Sequence, residues 1–373
     1  MTSRERVLAS LNHKEPDRVP LDIGATNNTC MHIEIERAVK KRLGLSTTKE
    51  TIAATMLNVV LPDESIMEHF SPDCCCVYLK EQKPWVYHED GNFYTDAWGL
   101  GYTLNPDGYY YNISGHPLSA AEFVEDIEKY QCPEPSEYMM ENWEEMLLKY
   151  PDKCSVLEGL RSPMFSLPSW IRGEENFYCD LMSDDGLLEC LLDKIEDTYI
   201  RTLDFIIDRI GNRVDIIKFA DDLGAQNNLL VSPELYRRHI KPRQERLYQH
   251  AKRRTGCKVL LHCCGAISRI IGDLIEIGVD AINPVQISAD GMEPEKLKKE
   301  FGDRITFWGG GIDTQHTLMF AAPHDVKREV AANLKAFKSG GGYVFAQVHN
   351  IMPGTPVDNI LAMYEAYYEN AGY

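Results

Sequence analysis

Eight short apolar, β-rich runs recur along this chain, at residues 19–23, 74–79, 154–157, 214–219, 258–261, 279–284, 305–308 and 343–347, separated by stretches of helical periodicity. Alternation of this kind reads as repeated βα units, and a run apolar at consecutive positions is a strand covered on both faces. Closing eight such strands gives a (β/α)8 TIM barrel, an α/β fold. The competing doubly wound open sheet carries a glycine-rich phosphate turn after its first strand, and none is present. The intervening segments agree. Residues 183–209 place Leu187, Leu191, Ile195, Tyr199, Leu203 and Ile206 on one helical stripe. Ser232 followed by Pro233 predicts an N-cap and a helix through Arg254 that ends near Gly256. One region exceeds a minimal barrel: residues 84–118 read as strands and turns, with 89–92 joining Trp85-Val86-Tyr87 to Phe93-Tyr94-Thr95 in an inserted hairpin beside or over the barrel mouth. With no repeat beyond the βα alternation and no low-complexity linker, residues 1–373 are expected to form a single elaborated domain.

In barrels of this kind the chemistry sits at the C-terminal ends of the strands. The residues just past the apolar runs are polar: Asp22, Glu158, Asp221 and Asp222, His262 and Cys264, Gln286, Asp313 and His349. Each has a structural explanation alone, the paired aspartates as helix caps and Asp313 as a helix start after Gly309-Gly310-Gly311. Their agreement at seven strand ends points to a shared pocket. Asp222, Glu158 and His349 are the catalytic candidates; Asp22, Asp221, Trp170, Gln286 and Asp313 are the substrate-binding ones.

His262 and Cys264 stand two apart at the end of a strand, so both point to one face while Cys263 points away. That is half a zinc site. By itself the pair reads more readily as a core histidine and a buried thiol. His349, three strands further around the ring, is the best third ligand, and a His, Cys, His trio leaves the fourth tetrahedral position open. Two imidazoles and one thiolate leave zinc a net charge of +1, a stronger Lewis acid than the neutral centre formed with a second thiolate. Such an ion activates a bound thiol or water at neutral pH.

Composition narrows the partners. A formal charge of -18 repels nucleic acid and anionic membrane surfaces. No apolar run approaches the roughly 20 residues of a membrane span, and the N-terminus lacks the pattern of a signal peptide. Eleven cysteines, scattered apart from the Cys74-Cys75-Cys76 run, fit a reducing, cytoplasmic setting. The aromatics Trp85, Tyr87, Trp98, Trp170 and Tyr109-Tyr110-Tyr111 read chiefly as core.

These residues resemble the uroporphyrinogen decarboxylase superfamily, and within it the branch of corrinoid-dependent methyltransferases. The likeness runs through residues 4–20, Thr95-Asp96-Ala97-Trp98-Gly99, Phe219-Ala220-Asp221-Asp222-Leu223-Gly224, Ser232-Pro233-Glu234-Leu235-Tyr236, His262-Cys263-Cys264-Gly265, Gly309-Gly310-Gly311-Ile312-Asp313 and Pro356-Val357-Asp358-Asn359-Ile360. The resemblance implies the barrel, a zinc ion held by His262 and Cys264, and methyl transfer between a methylcobamide and a thiol. It implies as partners a corrinoid protein or free cobalamin and a small thiol, with a homodimer possible. Where that branch has a further Cys near the last strand, this chain has His349, which sits where the decarboxylases carry their histidine. The decarboxylases' arginine-rich stretch is missing from residues 19–28, and Trp170 replaces their active-site tyrosine. Loss of that cationic clamp argues against a tetrapyrrole polycarboxylate. Alternatives are a carboxy-lyase acting on a smaller acid without metal, and a corrinoid- or tetrapyrrole-binding protein without turnover.

Overall fold

The computed structural model describes all residues except 47–48, 89–90, 162 and 184–185. Seven parallel strands hydrogen-bond in sequence order: Cys74–Tyr78, Cys154–Glu158, Ile216–Ala220, Lys258–His262, Ala281–Asn283, Thr306–Trp308 and Tyr343–Val344. Residues 19–23 close the ring between the last strand and Cys74–Tyr78. The Asp22 N–H donates to the Phe345 carbonyl at 2.9 Å, the Phe345 N–H to Pro20 at 2.8 Å, and the Asp73 N–H to Leu21 at 2.7 Å. The full strand expected here is instead a segment with a single bridge, Leu21 opposite Phe345. Pro20 has no N–H to give. The Leu21 N–H goes to the Asp73 carboxylate at 2.8 Å rather than to a neighbouring carbonyl.

Strand alternation sorts the barrel interior into two layers. Cys74, Cys154, Val156, Ile216, Leu260, Ala281, Trp308 and Val344 pack with Val7 and Leu11 into an apolar floor. The helix Ser3–Leu11, started by a capping box between Thr2 and Glu5, plugs the ring from below. Two residues further along their strands the same parity turns Glu158, Lys218, His262 and Asn283 inward. A polar layer therefore rests on an apolar one, and the polar layer faces the mouth.

The inserted region is a four-stranded antiparallel sheet, Val86–Tyr87, Phe93–Thr95, Gly101–Leu104 and Tyr111–Gly115. Its first pair is the expected hairpin, with Val86 opposite Thr95 and Tyr87 opposite Tyr94; Glu89 and Asp90 of its turn lie outside the described residues. Tyr94 stacks on Tyr102 at 4.6 Å and on Trp85 at 5.0 Å. Asp96 fixes the next turn by accepting from the N–H groups of Trp98 and Leu100, at 2.8 and 2.9 Å, and from the Tyr102 hydroxyl at 3.0 Å. Gly99 occupies that turn at φ 78°, a conformation a side chain disfavours.

The long helix Leu187–Ile210 buries the predicted stripe; residues 184–185, at its expected start, lie outside the described ones. Ser232 caps its helix, accepting from the Leu235 N–H at 3.3 Å. What was expected as one continuous helix is Pro233–Leu235, a π turn at Tyr236–Ile240, and Lys241–Thr255, ended by Gly256 at φ 73°. Pro242 explains the interruption, since it lacks the N–H an α-turn directs at residue 238. Among the described residues no helix is long and apolar enough to cross a membrane.

Candidate functional site

His262 ends its strand with its ring inside the barrel, across the rung from Asn283. His262 Nδ1 lies 2.7 Å from Asn283 Oδ1, and Asn283 Nδ2 donates to the Trp308 carbonyl at 3.0 Å. With the amide oxygen facing it, Nδ1 carries the proton, and the lone pair of Nε2 is left for another partner. Nε2 lies 3.4 Å from Cys264 Sγ. His349 approaches from the last strand's loop, its ring centroid 5.4 Å from that of His262. One nitrogen from each ring and the Cys264 sulfur all lie within 4.8 Å of one another. Zinc bonds of about 2.0–2.3 Å place tetrahedral ligand atoms roughly 3.3–3.8 Å apart, so a small inward movement completes a three-ligand set. The residues fit the ion.

Electrostatics favour the same reading. Burial, reinforced by the neighbouring Lys218 ammonium, lowers the His262 pKa to about 3 and keeps its ring neutral. Burial and the His262 ring do the same to His349, also to about 3. Burial and the Asp222 carboxylate push the Cys264 thiol well above its usual range. Two neutral imidazoles and a reluctant thiol form a site that a divalent cation stabilises and a proton does not. Asp222 Oδ1 accepts the Cys264 N–H at 2.9 Å and sits 3.8 Å from His262 Nε2, with its side chain 43% exposed to the cavity.

Beside the trio, Lys218 and Glu158 form a buried ion pair at 3.0 Å. The ammonium also donates to Asn27 Oδ1 at 3.0 Å and Asn28 Oδ1 at 2.8 Å. Glu158 accepts from the N–H groups of Asn27 and Gly159 at 3.1 and 2.8 Å. Asn28, its oxygen held by Lys218, turns its amide nitrogen to His349 Nε2 at 3.5 Å. Above these groups opens a cavity of about 330 Å³, walled by Trp85, Tyr94 and Tyr102 of the inserted sheet and by Trp170. Arg161 ties that sheet to the barrel: its guanidinium donates to Glu81, to Asp96 at 2.6 Å and to the Tyr102 hydroxyl at 2.9 Å.

The profile of the family described as Uroporphyrinogen decarboxylase (URO-D) matches residues 95–370, which include the trio and every barrel strand but the first two segments. The chain belongs to the uroporphyrinogen decarboxylase family. Two curated proteins named methylcobamide:CoM methyltransferase MtaA, from Methanosarcina barkeri and its strain Fusaro, are 26% and 24% identical to it over 211 residues. The matched part covers 57% of this chain and 57% of each relative. A solved methyltransferase from Methanosarcina mazei covers 99% of both chains with a TM-score of 0.66 at 19% identity, a likeness of fold.

In this uroporphyrinogen decarboxylase family member the strand ends divide. Glu158, Asp222, His262, His349 and Trp170 line the cavity, and Cys264 lies against His262 beneath it. The remaining candidates do not line it. Asp22 is fully buried and accepts from the Trp308 indole at 2.7 Å and the Ala25 N–H at 2.8 Å. Asp221 accepts from the N–H groups of Met164, Phe165 and Ser166 and from Gln244, capping the helix Ser166–Arg172. The paired aspartates thus take one structural and one cavity position. Gln286 accepts the Gly265 N–H at 2.8 Å and donates to Gln226, so its amide is spent joining the loops after two neighbouring strands, while Asp313 accepts the Gln315 N–H at 2.8 Å within its own loop. Sequence reasoning missed Lys218, Asn28, Asn283 and Arg161. For Lys218 the signal was present: a lysine inside a buried parallel strand, in phase with Asp222, has to meet a charge.

Proposed function

We propose that this chain is a zinc-dependent methyltransferase that moves a methyl group between a corrinoid and a small thiol or similar nucleophile. The observation that carries the reading is the His262, Cys264 and His349 trio at the base of the cavity, with Asn283 holding His262 in the ligating tautomer. The likeness to proteins named methylcobamide:CoM methyltransferase supports it. Zinc, bound by those three side chains, supplies Lewis acidity at an open position and so lowers the pKa of an acceptor thiol.

The chain's own groups do the rest. Asp222, exposed to the cavity and next to the trio, accepts the thiol proton and returns it to solvent. A corrinoid at the mouth would supply the methyl group and retain the electron pair of its cobalt–carbon bond, with the thiol sulfur providing the pair for the new bond. Lys218 and Asn28 hold the His349 side of the site, and the aromatic roof limits access of water. A cavity of about 330 Å³ accommodates a small acceptor. The corrinoid, far larger, is presented at the mouth by a carrier protein or as free cobalamin.

A metal-free carboxy-lyase using His349 and Asp222 has less support. Among the described residues, the two cations on the cavity wall, Lys218 and Arg161, are already paired with carboxylates, which leaves an acidic substrate without a counterion from them. The test is metal analysis of the purified chain and of Cys264→Ser, together with demethylation of methylcobalamin in the presence of small thiols. Stoichiometric zinc and demethylation lost together in the variant support the proposal. Equal zinc in both proteins, or activity that survives chelation, sinks it.

A further inference from the structure

The cavity above the trio does not end at its roof. Met56, Leu57 and Trp170 line it and also line a second, outer chamber of about 480 Å³ that is more open to solvent. The two spaces therefore meet along these three residues. One wall of the outer chamber is the 3-10 turn Thr55–Leu57, packed against the last strand of the inserted sheet, Tyr111–Gly115. Asn58 secures that join by donating to the Tyr109 carbonyl at 2.8 Å. The facing wall comes from the helix Ser166–Arg172, which carries Trp170, and from Glu174 at the start of the next helix. The chemistry at the trio makes no use of this space.

Its lining has a definite character. Tyr110, Ile113 and the three shared residues make it chiefly apolar and aromatic. His116 Nδ1 lies 2.7 Å from the Trp170 carbonyl, a contact that needs the proton on Nδ1, so the neutral ring keeps a lone pair on Nε2. Glu174, exposed, is the one charged group of the lining, and among the described residues no lysine or arginine lines the chamber. A carboxylate or phosphate entering here meets no counterion, lies beside Glu174 and loses its hydration without recompense. An uncharged ligand with a flat apolar face and N–H groups finds aromatic rings and two acceptors. Corrinoids have that chemistry: a flat macrocycle fringed with primary amides, too large to enter whole but able to lay one edge in the chamber while its face spans the adjoining cavity. We infer that the outer chamber seats the amide-bearing edge of the corrinoid, with Tyr110 and Trp170 against the ring and His116 and Glu174 accepting from its amides. The identity of the occupant rests on the methyltransferase reading, whereas the preference for a neutral, donor-bearing ligand is a property of the chamber.

Equilibrium dialysis of coloured corrinoids against the zinc-loaded full chain, without thiol, reads the seat apart from turnover. Methylcobalamin is compared with its monocarboxylic acids, in each of which one primary amide is hydrolysed to a carboxylate. The acids are expected to spread, the weakest binding about tenfold below methylcobalamin, because only the amide held in the chamber matters there. Long-range repulsion from the chain's net charge would lower all of them alike. Glu174→Gln is expected to narrow the tenfold gap severalfold. Tyr110→Ala, at a residue that lines the outer chamber and not the inner one, should weaken methylcobalamin severalfold and leave the calorimetric Kd of 2-mercaptoethanol unchanged. Acids that bind alike, whether as tightly as methylcobalamin or uniformly more weakly, overturn the inference, and this wild-type series decides it even where a variant folds poorly. Tyr110→Ala that spares the corrinoid overturns it too. Demethylation is scored separately: amide-selective corrinoid binding without methyl transfer sinks the proposed reaction and leaves the seat standing, whereas methyl transfer with corrinoid affinities indifferent to Tyr110 and to amide hydrolysis does the reverse.

Discussion

Asn283 touches no cavity atom of its own, yet it decides which nitrogen of His262 has a lone pair to offer. Outer partners of ligating histidines typically matter about 10–100-fold in metal affinity. Asn283→Leu is therefore expected to weaken zinc binding by about that factor, read by competition with a chromogenic chelator, while the strand pairing around it persists. Burial of His262 also has a pH signature. Its folded-state pKa of about 3 lies below the unfolded value of about 6.5. Between those values the unfolded chain holds the extra proton, so this residue's contribution rises with pH and is lost as pH falls from about 6.5 towards 3. Asp22 and Asp221, raised by burial to about 6, act in the opposite direction above the ordinary aspartate pKa. The clean measurement is thus a difference: in metal-free protein the stability advantage of wild type over His262→Gln should grow from pH 4 to pH 7, by up to about 1.4 kcal/mol per unit. A flat difference refutes the assignment. Lys218 and Glu158, both about 3% exposed, form the other residue-scale dependency. Lys218→Met leaves Glu158 buried and uncompensated and should cost about 3–5 kcal/mol in urea unfolding, much of it recovered by adding Glu158→Leu.

At the scale of elements, one arginine from the loop after Cys154–Glu158 makes three of the bonds that tie the inserted sheet to the barrel. Arg161→Met removes bonds to Glu81, Asp96 and Tyr102 at once. Hydrogen exchange is expected to accelerate in Phe93–Thr95 and Gly101–Leu104, with protection in Lys258–His262 unchanged. Uniform acceleration would show that the arginine supports the whole fold rather than the lid. The elements themselves were mostly legible in the residues. Seven of the eight runs are strands in the expected order, because strands buried on both faces cannot tolerate polar alternation. The exceptions have local causes: Pro20 and the Asp73 carboxylate spoil the ladder of the first run, and Pro242 turns part of a helix into a π turn.

For the whole molecule, zinc should act as a folding ligand. A ligand at about 1,000 times its Kd adds about 4 kcal/mol to the native state. Added zinc is expected to raise Tm for the wild-type chain and to have little effect on Cys264→Ser; equal shifts in the two would place the binding elsewhere. The aromatics show how far residue chemistry alone carries. Of the seven expected to be chiefly core, Trp98 alone is buried, at 2% exposure; Tyr87 and Tyr109 are exposed and the other four are half-buried, because most of them belong to the insertion and the cavity wall rather than to the barrel. Trp85, Tyr94 and Tyr102 both pack on one another and wall the cavity, a double duty visible only once the insertion is folded across the mouth.

The residues by themselves determined the barrel, the inserted hairpin and the facing pair His262 and Cys264, because each is a matter of period and spacing along one strand. Tertiary structure decided which strand-end carboxylates reach the cavity. Asp22 and Asp221 differ from Glu158 and Asp222 not in the chemistry of their carboxylates but in which buried donors lie beside them. It also brought His349 to within ligand distance and joined Lys218 to Asn28. These are contacts between residues separated by scores of positions, and a one-dimensional pattern does not encode the closure of a ring.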